Sequence, residues 1–228
     1  MKDSRAFYNS YHPNNKYNMR LTKGQLVCVL IFSLLVIDQI VKIWIKTHMV
    51  LGESIPVFGN WFQIYFIENN GMAFGMQLGG SFGKFLLSTL RIVLVGFIIY
   101  YLVKLVKKQA PTGVLVGISL VLVGAVGNIV DSLFYGILFS ESTFTETALF
   151  LPEGGGYSHF LFGKVVDMLY FPIIDTMMPD WVPFIGGERF VFFRPIFNIA
   201  DSCITIGVIY LILFKRKYFN VSDPSTSV

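Results

Sequence analysis

An aspartate stands inside one of the most apolar stretches of the chain. Residues 195–214 read P-I-F-N-I-A-D-S-C-I-T-I-G-V-I-Y-L-I-L-F, where Asp201 is the one charge in about twenty residues, a length that crosses a bilayer's hydrocarbon core as a helix. On that helix Asn198, Asp201, Ser202 and Thr205 fall at i, i+3, i+4 and i+7 and share one face, with Asp201 about two turns in. An ionisable group at such depth is costly unless paired or protonated, so the first reading of Asp201 is a functional acid and the second an acid satisfied by a structural partner. Other acids sit comparably. Gly124, Gly127, Asn128 and Asp131 repeat the same spacing, and Asp167 lies in the apolar island V-V-D-M-L-Y-F-P-I-I at 165–174. Two carboxyls close enough to share a proton do what neither does alone: the ionised one takes a proton from water while the protonated one donates to a carbonyl, which is aspartic peptidase chemistry. Spacing alone leaves Asp131, Asp167 and Asp201 equally eligible. A fourth acid, Asp38, has Lys42 at i+4, the better order for a helical ion pair, and reads as a self-neutralised structural pair near the outer interface rather than a proton relay.

These acids need a membrane bundle to position them. The chain of 228 residues is 54% hydrophobic and only 14% charged, with a mean hydropathy of +0.63, drier than a soluble domain. The expected fold is an α-helical membrane protein of four transmembrane helices, with a small extramembrane β-rich segment and a long outer loop. The spans are expected at about 25–45, 85–103, 113–133 and 196–214, within a domain 25–215 between tails 1–24 and 216–228. Basic residues flank these spans: Lys16, Arg20 and Lys23 before the first, Lys104, Lys107 and Lys108 after the second, Lys215, Arg216 and Lys217 after the fourth. That pattern places both termini in the cytoplasm and the acids toward the outer face. It does not gather charge on one surface, so nucleic acid is not an expected partner. Cys28 and Cys203 lie too far apart in the bundle to bridge, and the three histidines are isolated, so no metal is expected.

Between the first two spans the glycines and Pro56 break any helix. The segment W-F-Q-I-Y-F-I-E-N at 61–69 favours a strand at the headgroup level, and the Asn-Gly step that follows favours a turn. Arg91, the awkward charge of the second span, is assigned nothing beyond snorkelling or pairing in the bundle. Residues 134–194 are expected to be extramembrane. A small carrier or channel would also use buried acids, but four spans without an internal repeat argue against it, and a scaffold would not explain acids with nearby asparagines.

Five motifs in order carry a resemblance: D-Q-I-V-K at 38–42, N-N-G-M-A-F-G at 69–75, G-N-I-V-D at 127–131, G-K-V-V-D at 163–167 and F-N-I-A-D-S at 197–202. Together they resemble lipoprotein signal peptidase, or signal peptidase II, over about residues 25–215. The resemblance implies an aspartic endopeptidase that cuts the signal peptide from a prolipoprotein just before a cysteine bearing a diacylglyceryl group. It implies Asp167 and Asp201 as the catalytic pair, Asn69, Asn128, Asp131 and Asn198 lining or ordering the substrate site, and Asp38, Lys42, Gly71 and Gly127 as structural residues. No cofactor is implied; the expected partners are the lipid-modified prolipoprotein and membrane lipid, and the enzyme is expected to be a monomer of the bacterial plasma membrane. Ser132 stands where the family pattern has an arginine, so a contact made by that guanidinium is absent or supplied elsewhere, from Arg189 or Arg194. Ser132→Arg is accordingly expected to be tolerated or modestly harmful.

Overall fold

The computed structural model describes residues 21–59, 61–70, 80–192 and 195–220. Gly71, Arg194 and most of the 69–75 turn lie outside them. Among the described residues three helices are long and apolar enough to cross a membrane: α1 (Lys23–His48), α2 (Gly80–Lys107), and α3 (Thr112–Val130), which continues through a π turn (Asp131–Tyr135) into α4 (Gly136–Leu138). A further helical stretch begins as α5 (Ile199–Tyr210) and continues through a second π turn into α6 (Arg216–Asn220).

The helix starts follow from local chemistry. Thr22 caps α1, accepting from Gln25 N at 3.2 Å, while the Gln25 side chain returns the bond to Thr22 N. Asn198 caps α5 in the same reciprocal way, with Asp201 as the returning side chain. That boundary differs from the expected one. Ile196 and Phe197 are extended, pairing as β6 (Ile196–Phe197) with Leu169 and Tyr170, so Asp201 stands in the first turn of α5 rather than two turns deep. A sheet bond taken at 196–197 is incompatible with helix there, and the long apolar run conceals the switch.

Four antiparallel strands, in the order β1-β2-β3-β6, form a sheet at the ends of the helices: β1 (Ser54–Phe58), β2 (Phe62–Asn69), β3 (Val165–Tyr170) and β6. β2 follows the strand expected from residues 61–69. The apolar island at 165–174 supplies β3, and Ile67 pairs opposite Asp167. The loop between β3 and β6 carries a separate hairpin, β4 (Ile174–Met177) with β5 (Arg189–Phe192).

α3 is the central helix, packed against α1, α2 and α5. Its glycines set the approach: a Cβ on Gly124 would fall 2.2 Å from Ala200 O, so nothing larger than hydrogen fits between the backbones there. One core cluster joins Val27, Leu102, Leu105, Val114, Leu115 and Leu122; another joins Ile45, Phe66, Tyr135, Phe139, Val166 and Met168 under the sheet. Outward-facing Phe32, Val93 and Phe97 remain exposed, as residues facing hydrocarbon would be.

Candidate active site

Three structural joints bring the acids together. Asp201 is placed by the α5 cap, its backbone N–H donating to Asn198 Oδ1 at 2.8 Å while its Oδ2 accepts from Asn198 N at 3.4 Å. It therefore sits at a helix N-terminus, where backbone N–H groups and the helix dipole favour negative charge. Asp167 is placed by β3, and Asn198 joins the two acids: its Nδ2 donates to Asp167 Oδ1 at 2.7 Å. Asn69, at the end of β2, donates to the other oxygen of Asp167. Finally Asn128 Nδ2 donates to Asp201 Oδ1 at 2.7 Å, and Asn198 Nδ2 donates to Asn128 Oδ1 at 3.0 Å. Both acids are thus held through side-chain amides from β2, α3 and the α5 cap.

Asp167 is 2% exposed. Burial, followed by the charge of Asp201, pushes its carboxyl from the ordinary 3.8 up to about 7, against the opposing pull of the Asn198 and Asn69 hydrogen bonds. Near neutral pH such a group is available both with and without its proton.

Behind the acids lies a buried ionic layer. Lys42 Nζ sits 2.9 Å from Asp38 Oδ2 and 2.9 Å from Asp131 Oδ2, and donates to Asn128 Oδ1 at 3.2 Å. The expected Asp38 and Lys42 pair is present, yet it is not self-contained, because one lysine serves two aspartates and an asparagine. Asp38 Oδ1 also accepts from Ala200 N at 3.0 Å, tying α1 to the start of α5. Asp131 accepts from Gln39 Nε2 at 3.1 Å and from Val166 N at 3.3 Å, next to Asp167. Asp131 and Asn198 have no exposed surface and their polar atoms face protein partners, an arrangement that suits the ordering half of the lining-or-ordering role expected of them. Asn128 is nearly buried as well, at 7% exposed, whereas Asn69 is partly open. Gly127 lies where a Cβ would come 2.8 Å from Asp38 Oδ2, so the ionic layer needs that gap.

Sequence reasoning missed Gln39 and Tyr135, and read Arg91 only as snorkelling or pairing in the bundle. Tyr135 OH donates to Gln39 Oε1 at 3.1 Å, completing the buried layer; the signal for Gln39 was its place inside the D-Q-I-V-K motif. Lys84, Ser88 and Arg91 stand at i, i+4 and i+7 on α2. Lys84 Nζ donates to Phe162 O at 2.6 Å and Ser88 Oγ to Leu161 O at 3.1 Å, so this face looks toward the segment leading into β3. Arg91 interacts electrostatically with Asp201 first, then with Asp131 and Asp167. A guanidinium on α2 thus contributes to the electrostatics of the acids. Arg189, one expected source, instead lies in β5 of the separate hairpin, paired across from Met177. Ser132 is buried and donates to Asn128 O at 3.1 Å, with its own carbonyl accepting from Gly163 N at 2.9 Å; the structure has no room for an arginine there without displacing that packing.

Around the sheet, rings form a chain: Phe58 stacks on Trp61 and Phe62, Phe62 on Phe171 at 4.5 Å, and Phe171 on Phe197 at 5.8 Å. Phe66, expected to belong to this interfacial set, is instead fully buried in the core. Among the described residues no cluster of His, Cys, Asp or Glu has the makings of a metal site.

Known proteins share this arrangement of sequence. A lipoprotein signal peptidase of Porphyromonas gingivalis is 54% identical over 195 residues, covering 85% of this chain and 84% of that one. One of Amoebophilus asiaticus is 40% identical, covering 79% and 73% respectively. Two solved structures of bacterial membrane enzymes also align, one with 25% identity, 89% and 94% coverage and a TM-score of 0.53, the other with 26% identity, 87% and 94% coverage and a TM-score of 0.52. The family model for signal peptidase II matches residues 30–216. From that span and those identities, the chain belongs to the signal peptidase II family of aspartic peptidases, which removes signal peptides from prolipoproteins.

Proposed function

We propose that Asp167 and Asp201 are the catalytic pair with which this signal peptidase II cleaves prolipoproteins. The observation that carries the proposal is Asn198, whose side chain donates to the Asp167 carboxyl and accepts from the backbone N–H of Asp201, while its own backbone N–H donates to the Asp201 carboxyl. Asp201, at the helix N-terminus, is the ionised partner and takes a proton from water as its oxygen attacks the scissile carbonyl carbon. Asp167, buried and raised to about 7, holds the shared proton and gives it to the carbonyl oxygen. Collapse of the tetrahedral intermediate breaks the C–N bond: the leaving amine takes the proton that Asp201 accepted, and one hydroxyl of the gem-diol returns its proton to Asp167 as the carboxyl C=O forms. No covalent enzyme intermediate is needed; Ser202 donates to Asn198 O at 2.9 Å and serves the helix start.

The stretch Ile199–Asn220 makes a fourth span, about 33 Å long at helical rise, alongside the three apolar helices. Both termini are cytoplasmic, and the sheet and the acids lie at the outer face of the plasma membrane. A precursor carrying a diacylglyceryl cysteine approaches sideways from the bilayer, with the ring chain from Phe58 to Phe197 seating it at the interface. The enzyme works as a monomer, without a cofactor or nucleic acid.

The test is purified enzyme with a lipid-modified precursor and no ion gradient. Peptide release is expected, with activity falling on both sides of a pH optimum as the shared proton is gained or lost. Asp167→Asn and Asp201→Asn are each expected to abolish release, and the double variant to be no worse than either single one. Full activity in Asp167→Asn at normal abundance would remove Asp167 from the pair and return Asp131 to candidacy.

A further inference from the structure

We propose that Lys42 is a positioning residue for the catalytic pair, acting through Asn128 by fixing which end of that amide faces Asp201. The inference rests on the reading of Asp167 and Asp201 as the reacting acids.

An asparagine amide has one accepting and one donating end, and rotation by half a turn exchanges them at nearly the same shape. Asn128 lies between Lys42 and Asp201, so its direction decides whether Asp201 receives a hydrogen bond or meets an opposing lone pair. Lys42 can only donate. Its Nζ, 3.2 Å from Asn128 Oδ1, therefore obliges the oxygen to face the lysine, and Nδ2 must then face Asp201 Oδ1, which it reaches at 2.7 Å. Asn198 supplies a second donor to the same oxygen at 3.0 Å. That donor is shared: the two N–H groups of Asn198 face Asn128 Oδ1, Val166 O at 3.3 Å and Asp167 Oδ1 at 2.7 Å. The undivided constraint comes from Lys42.

The lysine is itself held. All three of its donors have acceptors, on Asp38, Asp131 and Asn128, and its side chain is wholly buried. Charge neutralisation alone would need only the two carboxylates. The third contact, to a neutral amide that touches a reacting acid, is what links the ionic layer to the chemistry. A direction set by a donor-only group runs from Lys42 through Asn128 to Asp201.

Removing Lys42 by itself strands two buried carboxylates and invites misfolding. The informative variant is Lys42→Met with Asp38→Asn, since one lysine against two aspartates and one aspartate alone carry the same net charge. Purified in detergent at matched folded amounts, this double variant is compared with wild type and with Asp38→Asn on a lipid-modified precursor. The expectation is a fall in kcat of about tenfold to a hundredfold relative to Asp38→Asn, the scale of one lost charge-assisted hydrogen bond, with KM within about twofold. A second arm places the same pair of changes in an Asn128→Ala background. There the amide is gone, and adding Lys42→Met to Asp38→Asn is expected to lower kcat no further.

Retention of the Asp38→Asn kcat by the folded double variant would overturn the proposal, as would losses that multiply in the Asn128→Ala background. Should Asp38→Asn with Lys42→Met fail to fold, Asn128→Asp supplies the comparison: its carboxylate still accepts from Lys42 but cannot donate to Asp201, and a kcat equal to wild type would overturn the proposal equally. Failure of the dyad itself is distinguishable, because it shows as activity in Asp167→Asn whatever Lys42 does.

Discussion

Replacing Asp167 by asparagine should change not only turnover but the way stability depends on pH. The carboxyl is 2% exposed and raised from 3.8 to about 7. A raised acid keeps a proton in the folded state that the unfolded chain releases, so between about pH 4 and pH 7 the folded state binds more protons and stability falls as pH rises. Integrating the two titrations, this residue withdraws about 2.5 kcal/mol of stability between about pH 5 and pH 8. The asparagine side chain does not titrate, so the substitution abolishes that slope. It also brings a constant penalty, because Asn198 and Asn69 both donate to position 167 and an amide offers only one accepting end; an unmet donor costs about 1–3 kcal/mol at any pH. The comparison to make is therefore the difference between variant and wild type at the two pH values, not either value alone. For a chain of this length the slope corresponds to about 5–10 °C in Tm. Thermal unfolding in detergent, followed by circular dichroism across about pH 5 to 8, should show the variant gaining on wild type by that amount as pH rises. Because the charge of Asp201 is one cause of the raised value, Asp201→Asn should flatten part of the same slope. Parallel Tm curves for Asp167→Asn and wild type would refute the reasoning.

Glycine substitutions test the helix approach: Gly124→Ala must push against Ala200 O and separate α3 from α5, destabilising by roughly 1–3 kcal/mol, while Gly96→Ala in α2, with nothing within 4 Å, should leave abundance and melting unchanged. Ser132→Arg, expected from the motif pattern to be tolerated or modestly harmful, should instead lower membrane abundance sharply, because the site is buried and its hydroxyl and carbonyl are both engaged; immunoblotting of membrane fractions checks it. A reporter fused after Lys108 should read cytoplasmic and one at Gly155 external, and a cytoplasmic Gly155 fusion would reverse the orientation of the site.

The sequence makes the helices legible because a long apolar run leaves few alternatives, and it makes β2 legible because aromatic and branched residues cluster at 61–69. It misplaces Asp201 in depth for the same reason: residues 195–214 are apolar throughout most of their length, so hydropathy cannot register that Ile196 and Phe197 are in a strand and that the helix waits for the Asn198 cap. The signal was there in other terms. Asn198 and Asp201 stand three apart, which is face-sharing on a helix but also the spacing of a reciprocal cap, and only Pro195 just before them favours the second.

The choice of Asp167 over Asp131 shows where spacing runs out. Both are acids in apolar surroundings, both are buried, and both accept from main chain or amide donors; they differ in the charge set beside them. Asp131 has Lys42 at 2.9 Å, a cation brought from α1 by long-range packing that no local pattern on α3 announces. Asp167 is buried too, but the charge set beside it is that of Asp201, and burial with that charge raises it. An acid beside a lysine meets an opposite charge that favours its ionised form, whereas an acid beside another acid can share a proton with it. The placement of a single lysine thus distinguishes Asp131 from Asp167, the acid proposed to do the chemistry, and the same lysine reaches Asp201 through Asn128.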